Sequence, residues 1–353
     1  MDSTIYKKIM AYLLDLIGHN ASIPHYRLPS ERVIALKFDS SRKPVRHAYE
    51  KLIELGYVTN VHGSGYFINE NIKPDGFINI FQEKIKISFI LPSVATKYAH
   101  SVLSGITDFC TQKQLELSIH ISNNLPETES ALLRKIPSSG AQGIILFPIE
   151  HDYHSHLELT KLLTQKYPFV FVDRCLPNLH ASLVCSDGHL AMLNAVEFLY
   201  KKQFKNPVFA TPPSSSSTSS DARINGYTHG LLKYYKAVTP RNLLQLVGSP
   251  AQQKNIFLKY LQQYPDTDVC ILYGVQLHTI TEAIRERGLQ IPQDITLMTF
   301  DDELTYEEHD SLKPYIIYQD GYQIGYSAAE NLYNQIHGDM RPVIQKLPVH
   351  IAN

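Results

Sequence analysis

Apolar positions change their period twice along the chain, and each change marks a different kind of element. Ile5, Ile9, Tyr12, Leu13 and Leu16 recur every three or four residues, which predicts an amphipathic first helix ending at Gly18. Ser30 is a good N-cap for a short helix carrying Val33, Leu36 and Phe38. Asp39-Ser40 interrupts it, and helical spacing resumes over Pro44, Val45, Ala48, Tyr49, Leu52 and Ile53. Gly56 stops the second helix and Tyr57-Val58 starts a strand. His62-Gly63-Ser64-Gly65 makes a tight turn before Tyr66-Phe67-Ile68 returns as a second strand. The pattern is helix, turn, helix and then a two-stranded wing.

Residues 69–84 carry no strong helical pattern, and Pro74-Asp75-Gly76 is a turn signal, so the stretch reads as a linker. From Ile85 the texture becomes short apolar runs alternating with helical stretches. Strands are predicted over Ile85–Leu91, Leu115–Ile121, Gly143–Phe147, Phe169–Val172, Val208–Ala210, Leu243–Val247, Val269–Leu272 and Ile295–Phe300. Helices are predicted over Ser101–Lys113, His156–Gln165, His189–Lys201, Arg223–Tyr235, Gln252–Gln263 and Thr279–Arg287. Such alternation predicts a parallel, doubly wound α/β sheet, and residues 85–353 have room for two of them.

Basic residues fall where a helix-turn-helix needs them. Arg32 lies on the first helix of the pair, Ser41, Arg42 and Lys43 open the second, and Arg46 follows one turn later. Arg42 and Arg46 at i and i+4 put two guanidiniums on one face. A planar guanidinium can meet the O6 and N7 acceptors of a major-groove guanine together, while lysines and backbone amides hold phosphates. The competing reading is a solvated helical pair whose arginines pair with Glu31 and Glu50.

In order and spacing, LPSER, SRKPVRHAYEKL, LGYV and HGSGYF resemble the winged-helix DNA-binding domain of GntR-type bacterial regulators. The resemblance implies that Arg32, Arg42 and Arg46 contact DNA and that His62-Gly63 is a wing tip entering the minor groove. Lys43-Pro44 departs from the family, where small hydroxyl residues are common; proline is tolerated in a first helical turn.

Composition changes this picture only a little. A 353-residue chain with 44% hydrophobic and 19% charged residues is an ordinary globular protein large enough for two or three domains. Net charge is -1, and the first 75 residues hold six Lys and four Arg against four Asp and four Glu. DNA affinity therefore rests on local placement, doubled by a dimer, rather than on global charge. No signal-peptide pattern and no long apolar run is present, and Cys110, Cys175, Cys185 and Cys270 are widely spaced. These features predict a cytoplasmic protein with four buried, reduced thiols.

Ligands on doubly wound sheets bind at the carboxyl ends of strands. There Asp173-Arg174 follows FVFV, Arg223-x-x-Gly226-Tyr227 opens a helix after the serine tract, Asp301-Asp302 follows LMTF, and Gln319-Asp320 follows YIIY. Carboxylates, arginines and amides converging from several strand ends suit a polyol or sugar. The competing reading is that strand ends are polar because they emerge into water.

FVDR, ARINGY, AIRERGLQIPQDITLMTFDD and IIYQD resemble the ligand-binding domain of the LacI family, related to type I periplasmic sugar-binding proteins. By position, the resemblance implies effector contacts at Asp173, Arg223, Asp301 and Gln319, with Arg174 beside them and Thr96 to Tyr98 as the first ligand loop. That loop reads ATKY rather than the usual asparagine-proline-aromatic run. Where the family has an Asn-Asp pair after a strand, this chain has Tyr273-Gly274. The LacI hinge helix is missing, and the combination resembles the arabinose-repressor branch, in which a GntR-type head sits on a LacI-type sensor.

The resemblances imply a winged helix-turn-helix over 1–70, a linker over 71–84, and a periplasmic-binding-protein-like fold with two parallel-sheet subdomains over 85–353. The expected lobes are 85–186 with 318–345, and 187–317 with 346–353.

Three further features are weighed against plain alternatives. The PPSSSSTSS tract at Pro212–Ser220 is read as a flexible loop at the cleft mouth. His151, Asp152, His154 and His156 match no established zinc spacing. The tyrosines at 315, 318, 322, 326 and 333 are read mainly as packing residues, one of which could stack on a sugar. No G-x-S-x-G, P-loop, H-E-x-x-H or dinucleotide fingerprint is present, so no enzyme, cofactor or metal site is predicted. The expected protein is a homodimeric, sugar-responsive repressor. A sensor for a nucleoside or other non-sugar ligand, or an activator, is the alternative.

Overall fold

Met1–Lys84 and Ile85–Asn353 form separate compact units. The structure, a computed structural model, describes residues 3–20, 23–69, 84–149, 155–212 and 217–352. All but the last residue of the expected linker lies outside these, as do His151, Asp152, His154 and residues 213–216 of the serine tract.

The first unit runs α1 (Ser3–Asn20), α2 (Glu31–Lys37), α3 (Arg42–Glu54), β1 (Val58–Val61) and β2 (Gly65–Ile68). Ile9, Leu13, Ile34, Val45, Tyr49 and Leu52 are fully buried and form its core. Two details differ from the sequence pattern. Helix α1 continues two residues past Gly18, and the Asn20 side-chain amide closes its end on the Leu16 carbonyl at 2.7 Å. On α2 the buried residues are Ile34 and Ala35, while Val33 and Leu36 are 52% and 73% exposed. A seven-residue helix is too short for its own periodicity to fix its rotation; packing against α3 sets it. Ile53, at 37% exposed, likewise falls off the buried stripe of α3. Ser30 occupies the N-cap position of α2 in extended conformation, but its hydroxyl makes no capping bond. The wing pairs Val58 with Ile68 through to Val61 with Gly65, its turn carried by positive φ at Gly63 and Gly65.

The second unit contains two six-stranded sheets. The first lobe is built from β3 (Lys86–Leu91), α4 (Lys97–Gln112), β4 (Glu116–Ile121), α5 (Pro126–Lys135), β5 (Gly143–Leu146), α6 (His156–Thr164), β6 (Phe169–Val172) and β7 (Ser182–Ser186). The second follows with α7 (Gly188–Lys201), β8 (Pro207–Thr211), α8 (Thr218–Gly230), β9 (Leu243–Gln245), α9 (Pro250–Gln263) and β10 (Val269–Tyr273). It continues through α10 (Leu277–Glu286), β11 (Thr296–Phe300), α11 (Tyr306–Leu312) and β12 (Tyr315–Tyr318). The chain then returns to the first lobe with α12 (Gly321–Ile336) and β13 (Ile344–Leu347), and ends in the second with β14 (His350–Ala352).

Strand order is β13-β7-β6-β5-β3-β4 in one sheet and β14-β12-β11-β10-β8-β9 in the other, every pair parallel except β12 with β14. Central strands are buried on both faces because helices cover both, as parallel sheets require. In the first lobe α4 and α12 pack on one face, and their backbones touch at Gly105 and Gly325. A Cβ on either would stand 2.0 Å or 1.9 Å from a carbonyl oxygen of the other helix.

The sequence pattern did not show α5, β7, α11, α12, β13 or β14. Strands β7, β13 and β14 are short and only partly apolar, and they pair at or near sheet edges. Helix α8 begins at Thr218, five residues before Arg223, and gives way at Leu231 to a π turn. Of the cysteines, Cys110, Cys185 and Cys270 are buried, but Cys175 is only half-buried, its amide donating to Thr218 Oγ1 at 3.1 Å.

Candidate DNA-reading face and effector cleft

Arg32 on α2 and Arg42, Lys43 and Arg46 on α3 are exposed, and Ser41 occupies the N-cap position of α3 in extended conformation without a side-chain capping bond. Val45, Ala48, Tyr49 and Leu52 bury the opposite face of α3, so helical geometry leaves its basic residues outward. Arg46 is held in place. Its Nε and Nη2 donate to the two carboxylate oxygens of Glu31 at 3.3 and 3.2 Å, and the Tyr66 hydroxyl donates to Glu31 Oε1 at 2.8 Å. Tyr66 stacks on Tyr49 with ring centroids 3.8 Å apart, and the Tyr49 hydroxyl donates to the Pro29 carbonyl. Burial pushes the Glu31 carboxyl up, but Arg46 and Tyr66 outweigh it and leave Glu31 below its usual range. Glu31 is the partner that the competing reading of the sequence named for an arginine, whereas Tyr66 was read there only as a wing-strand residue, and the wing brings it to the helices. His62 and Gly63 sit at the exposed tip of the wing, Gly63 with φ 76°.

The second unit holds a cleft of about 580 Å³ lined from both lobes. In the first lobe the Tyr98 hydroxyl donates to Asp173 Oδ1 at 2.9 Å and Arg174 Nε to Asp173 Oδ2 at 3.0 Å. In the second, Gln319 bridges: its Nε2 donates to Asp301 Oδ2 at 2.8 Å and its Oε1 accepts from Arg223 Nη2 at 3.0 Å. Only 6% of Arg223 is exposed, and its guanidinium lies over the rings of Phe300 and Tyr273 at 4.1 and 5.0 Å. Arg174 lies over Phe147 at 4.9 Å. Arg223 Nε is buried with no hydrogen-bond partner in the described residues.

Charge within the cleft is tuned by burial. Asp301 is pushed up to about 7 by desolvation, with Arg223 and Gln319 pulling it back. Burial also raises Tyr98, helped by Asp173 and Asp301, so its hydroxyl stays a donor. Burial alone would lower Arg223; the electron-rich Tyr273 and the Asp173 and Asp301 carboxylates raise it instead. A cationic fork, carboxylates, an amide and a hydroxyl between aromatic walls can exchange hydrogen bonds with a hydroxylated ring and stack on its apolar faces.

All seven expected effector residues, Thr96, Tyr98, Asp173, Arg174, Arg223, Asp301 and Gln319, line this cleft; Lys97, between the first two, does not, and its amide meets Glu303 at 2.9 Å. Thr96 spends its hydroxyl on capping α4, accepting from the Ala99 amide at 3.1 Å. Phe147, Tyr273, Phe300 and Glu303 also line it and were not chosen from the sequence as contacts. The tail tyrosines do not line it: Tyr315 packs on Phe198, Tyr318 on His350, and Tyr326 and Tyr333 on Phe109. Of the serine tract, Ser219 reaches the cleft and Ser217 caps α8. No group of three metal-binding side chains and no helix long and apolar enough to cross a membrane occurs among the described residues.

Residues 5–68 match the family described as bacterial regulatory proteins, gntR family, and residues 196–351 match the periplasmic binding protein-like domain. The chain is similar to the HTH-type transcriptional regulator KdgR of Bacillus subtilis, with 24% identity over 72% of this chain and 74% of that one. It is also similar to the arabinose metabolism transcriptional repressor of Geobacillus stearothermophilus, with 22% identity over 94% of this chain and 91% of the repressor. Among solved structures, the transcriptional regulator CelR–cellobiose complex shares the fold with a TM-score of 0.67 at 17% identity, covering 88% of this chain and 89% of that one. Transcription regulator CcpA of Lactococcus lactis does so with a TM-score of 0.67 at 18% identity, covering 76% and 98%. A gntR-type DNA-binding head joined to a periplasmic-binding-protein-like sensor makes this chain a ligand-responsive transcriptional regulator rather than an enzyme.

Proposed function

We propose that the chain is a cytoplasmic, homodimeric repressor of carbohydrate-utilisation genes, released from its operator when a monosaccharide binds between the lobes of the sensor. The observation that carries this reading is the chain of polar groups Asp301–Gln319–Arg223, walled by Phe300 and Tyr273, with Arg223 Nε left to be satisfied. Alternating donors and acceptors beside ring faces match the hydroxyls and C–H faces of a sugar. Similarity to arabinose metabolism transcriptional repressors favours the same class.

In this reading Arg32, Arg42 and Arg46 contact DNA, Ser41 and Lys43 hold phosphates, and His62-Gly63 enters the minor groove. Asp173, Arg174, Arg223, Asp301, Gln319 and Tyr98 contact the effector, with Thr96 shaping the loop beside them. Two heads related by a two-fold axis would read two half-sites of a near-palindromic operator. The effector acts by binding one conformation better than another, a coupling of about 1–3 kcal/mol in typical systems.

A thermal-shift screen against pentoses, deoxyhexoses, hexoses, sugar acids and sugar phosphates tests the sensor, because a ligand of the native state raises its melting temperature by mass action. A hit that also releases operator DNA supports the reading. A series without hits among sugars, with a nucleoside shifting the protein instead, would overturn the sugar and keep the regulator.

A further inference from the structure

Glu303 reaches across the cleft. It belongs to the second lobe, two residues after Asp301, yet its carboxylate accepts the amides of Lys97 and Tyr98 in the first lobe at 2.9 and 3.3 Å. These are the first two amides of α4, and first-turn amides have no acceptor within their own helix. Thr96 supplies partners for the next two, its hydroxyl taking the Ala99 amide and its carbonyl the His100 amide, each at 3.1 Å. The N-terminus of α4 is therefore completed by a residue of the other lobe, and a carboxylate is the charge that the helix dipole favours there. Lys97 returns the contact, its ammonium donating to the Leu304 carbonyl at 2.6 Å.

Gly274 makes room for this crossing. A Cβ at that position would stand 2.9 Å from Glu303 Cγ and 3.2 Å from Glu303 Cβ. The backbone of Gly274 lies outside the left-handed region, so the missing side chain matters for space and not for conformation. Tyr273-Gly274 is also where the sequence departs from the Asn-Asp pair of the LacI resemblance. Glu303 and Gly274 thus form one device: a small residue on one strand end admits a carboxylate from the next.

We infer that Glu303 is a positioning residue whose bonds to the α4 N-terminus set the spacing of the two lobes across the cleft, and that Gly274 is required for those bonds. The inference rests on reading the cleft as the effector site, since lobe spacing matters to function only there. Glu303 acts through the lobes, so its effect is readable without an effector.

The test is amide hydrogen exchange of the full-length protein, read at Lys97 and Tyr98. The Cys175 amide, which crosses between the same lobes to Thr218 Oγ1, is a second reporter of lobe spacing. Glu303→Ala should speed exchange of both α4 amides by about tenfold or more and also speed the Cys175 amide, which crosses between the same lobes, while amides of the central strands of each lobe stay unchanged. Glu303→Gln keeps one acceptor oxygen and should give an intermediate rate. Gly274→Ala should reproduce the Glu303→Ala effect with the carboxylate still present. Unchanged exchange at Lys97 and Tyr98 in Glu303→Ala would overturn the positioning role; so would acceleration confined to those two amides with Cys175 unchanged, and so would acceleration spread evenly through both cores. A null result in the sugar screen leaves these rates untouched, so failure of the effector reading and failure of this one are separable.

Discussion

Asp173 and Asp301 occupy equivalent places in the two lobes: each directly follows its strand, β6 or β11, with left-handed backbone, φ 66° and 58°. Each donates its amide to the next strand, Asp173 to Val184 at 2.9 Å and Asp301 to Ile317 at 3.1 Å. Aspartate tolerates this backbone better than most residues, and two such bends deliver two carboxylates to one cleft. Their surroundings differ. Asp173 accepts from Tyr98 and Arg174, whereas Asp301 accepts from the neutral amide of Gln319 and is pushed up to about 7.

That shift predicts a pH dependence. The folded-state value of Asp301 lies above the ordinary 3.8, so its favourable contribution is complete below about 4, fades as pH rises toward 7, and is absent above. Asp301→Asn removes the titration. The stability of the natural protein relative to this variant should be greater at pH 5 than at pH 8 in urea melts. An equal difference at both pH values would show that Asp301 does not titrate there.

Arg223 predicts a separation of the two activities. Arg223→Met keeps an apolar stem against Phe300 and Tyr273 but leaves Gln319 Oε1 without its donor. Effector affinity should fall by about ten- to a hundredfold, the range for a hydrogen bond to a charged group, with operator affinity unchanged. Asp301→Ala should likewise give a repressor that binds DNA and cannot be induced. A normal thermal shift with effector in both variants would place the ligand elsewhere.

Arg46 predicts the reverse. Its guanidinium is held by Glu31, which in the proposed reading orients it for DNA. Arg46→Ala should weaken operator binding in fluorescence anisotropy by about 1–3 kcal/mol while the effector-induced thermal shift persists. Loss of both would count against independent modules.

The α4–α12 contact predicts a stability effect far from either site. Gly105→Ala sets a methyl 2.0 Å from the Tyr322 carbonyl and 2.7 Å from the Tyr326 amide, so the two helices must part. A cost of about 1–3 kcal/mol is expected, measured as a lower urea midpoint in far-ultraviolet circular dichroism. A midpoint equal to that of the natural protein would mean that the helices separate freely.

Much of the cleft was legible because the residues in question follow strands of nearly unbroken apolar sequence. FVFV and LMTF read as buried strands, so the polar residues after them lie at the carboxyl ends of strands, where ligands bind. Glu303 was not legible. It stands in the same FDDE run, but its partner amide lies 206 residues away, and no local pattern pairs them. The aromatic walls were missed for a related reason: Phe147, Tyr273 and Phe300 look like the ends of core strands, and only closure of the second lobe on the first turns them into a lining.

The sequence by itself determined most of the order of elements, the basic face of α3, and the strand-end positions of Asp173, Asp301 and Gln319, because helical and strand periodicities are local and repeat over many residues. Tertiary structure decided what periodicity cannot encode. It rotated the short α2 so that Val33 and Leu36 face outward, placed β13 and β14 in different sheets, and held Arg46 on Glu31 through Tyr66. It also completed the α4 N-terminus with a carboxylate from the opposite lobe. Each of these depends on contacts between residues far apart in the chain, whose energies exceed the weak preferences of short segments.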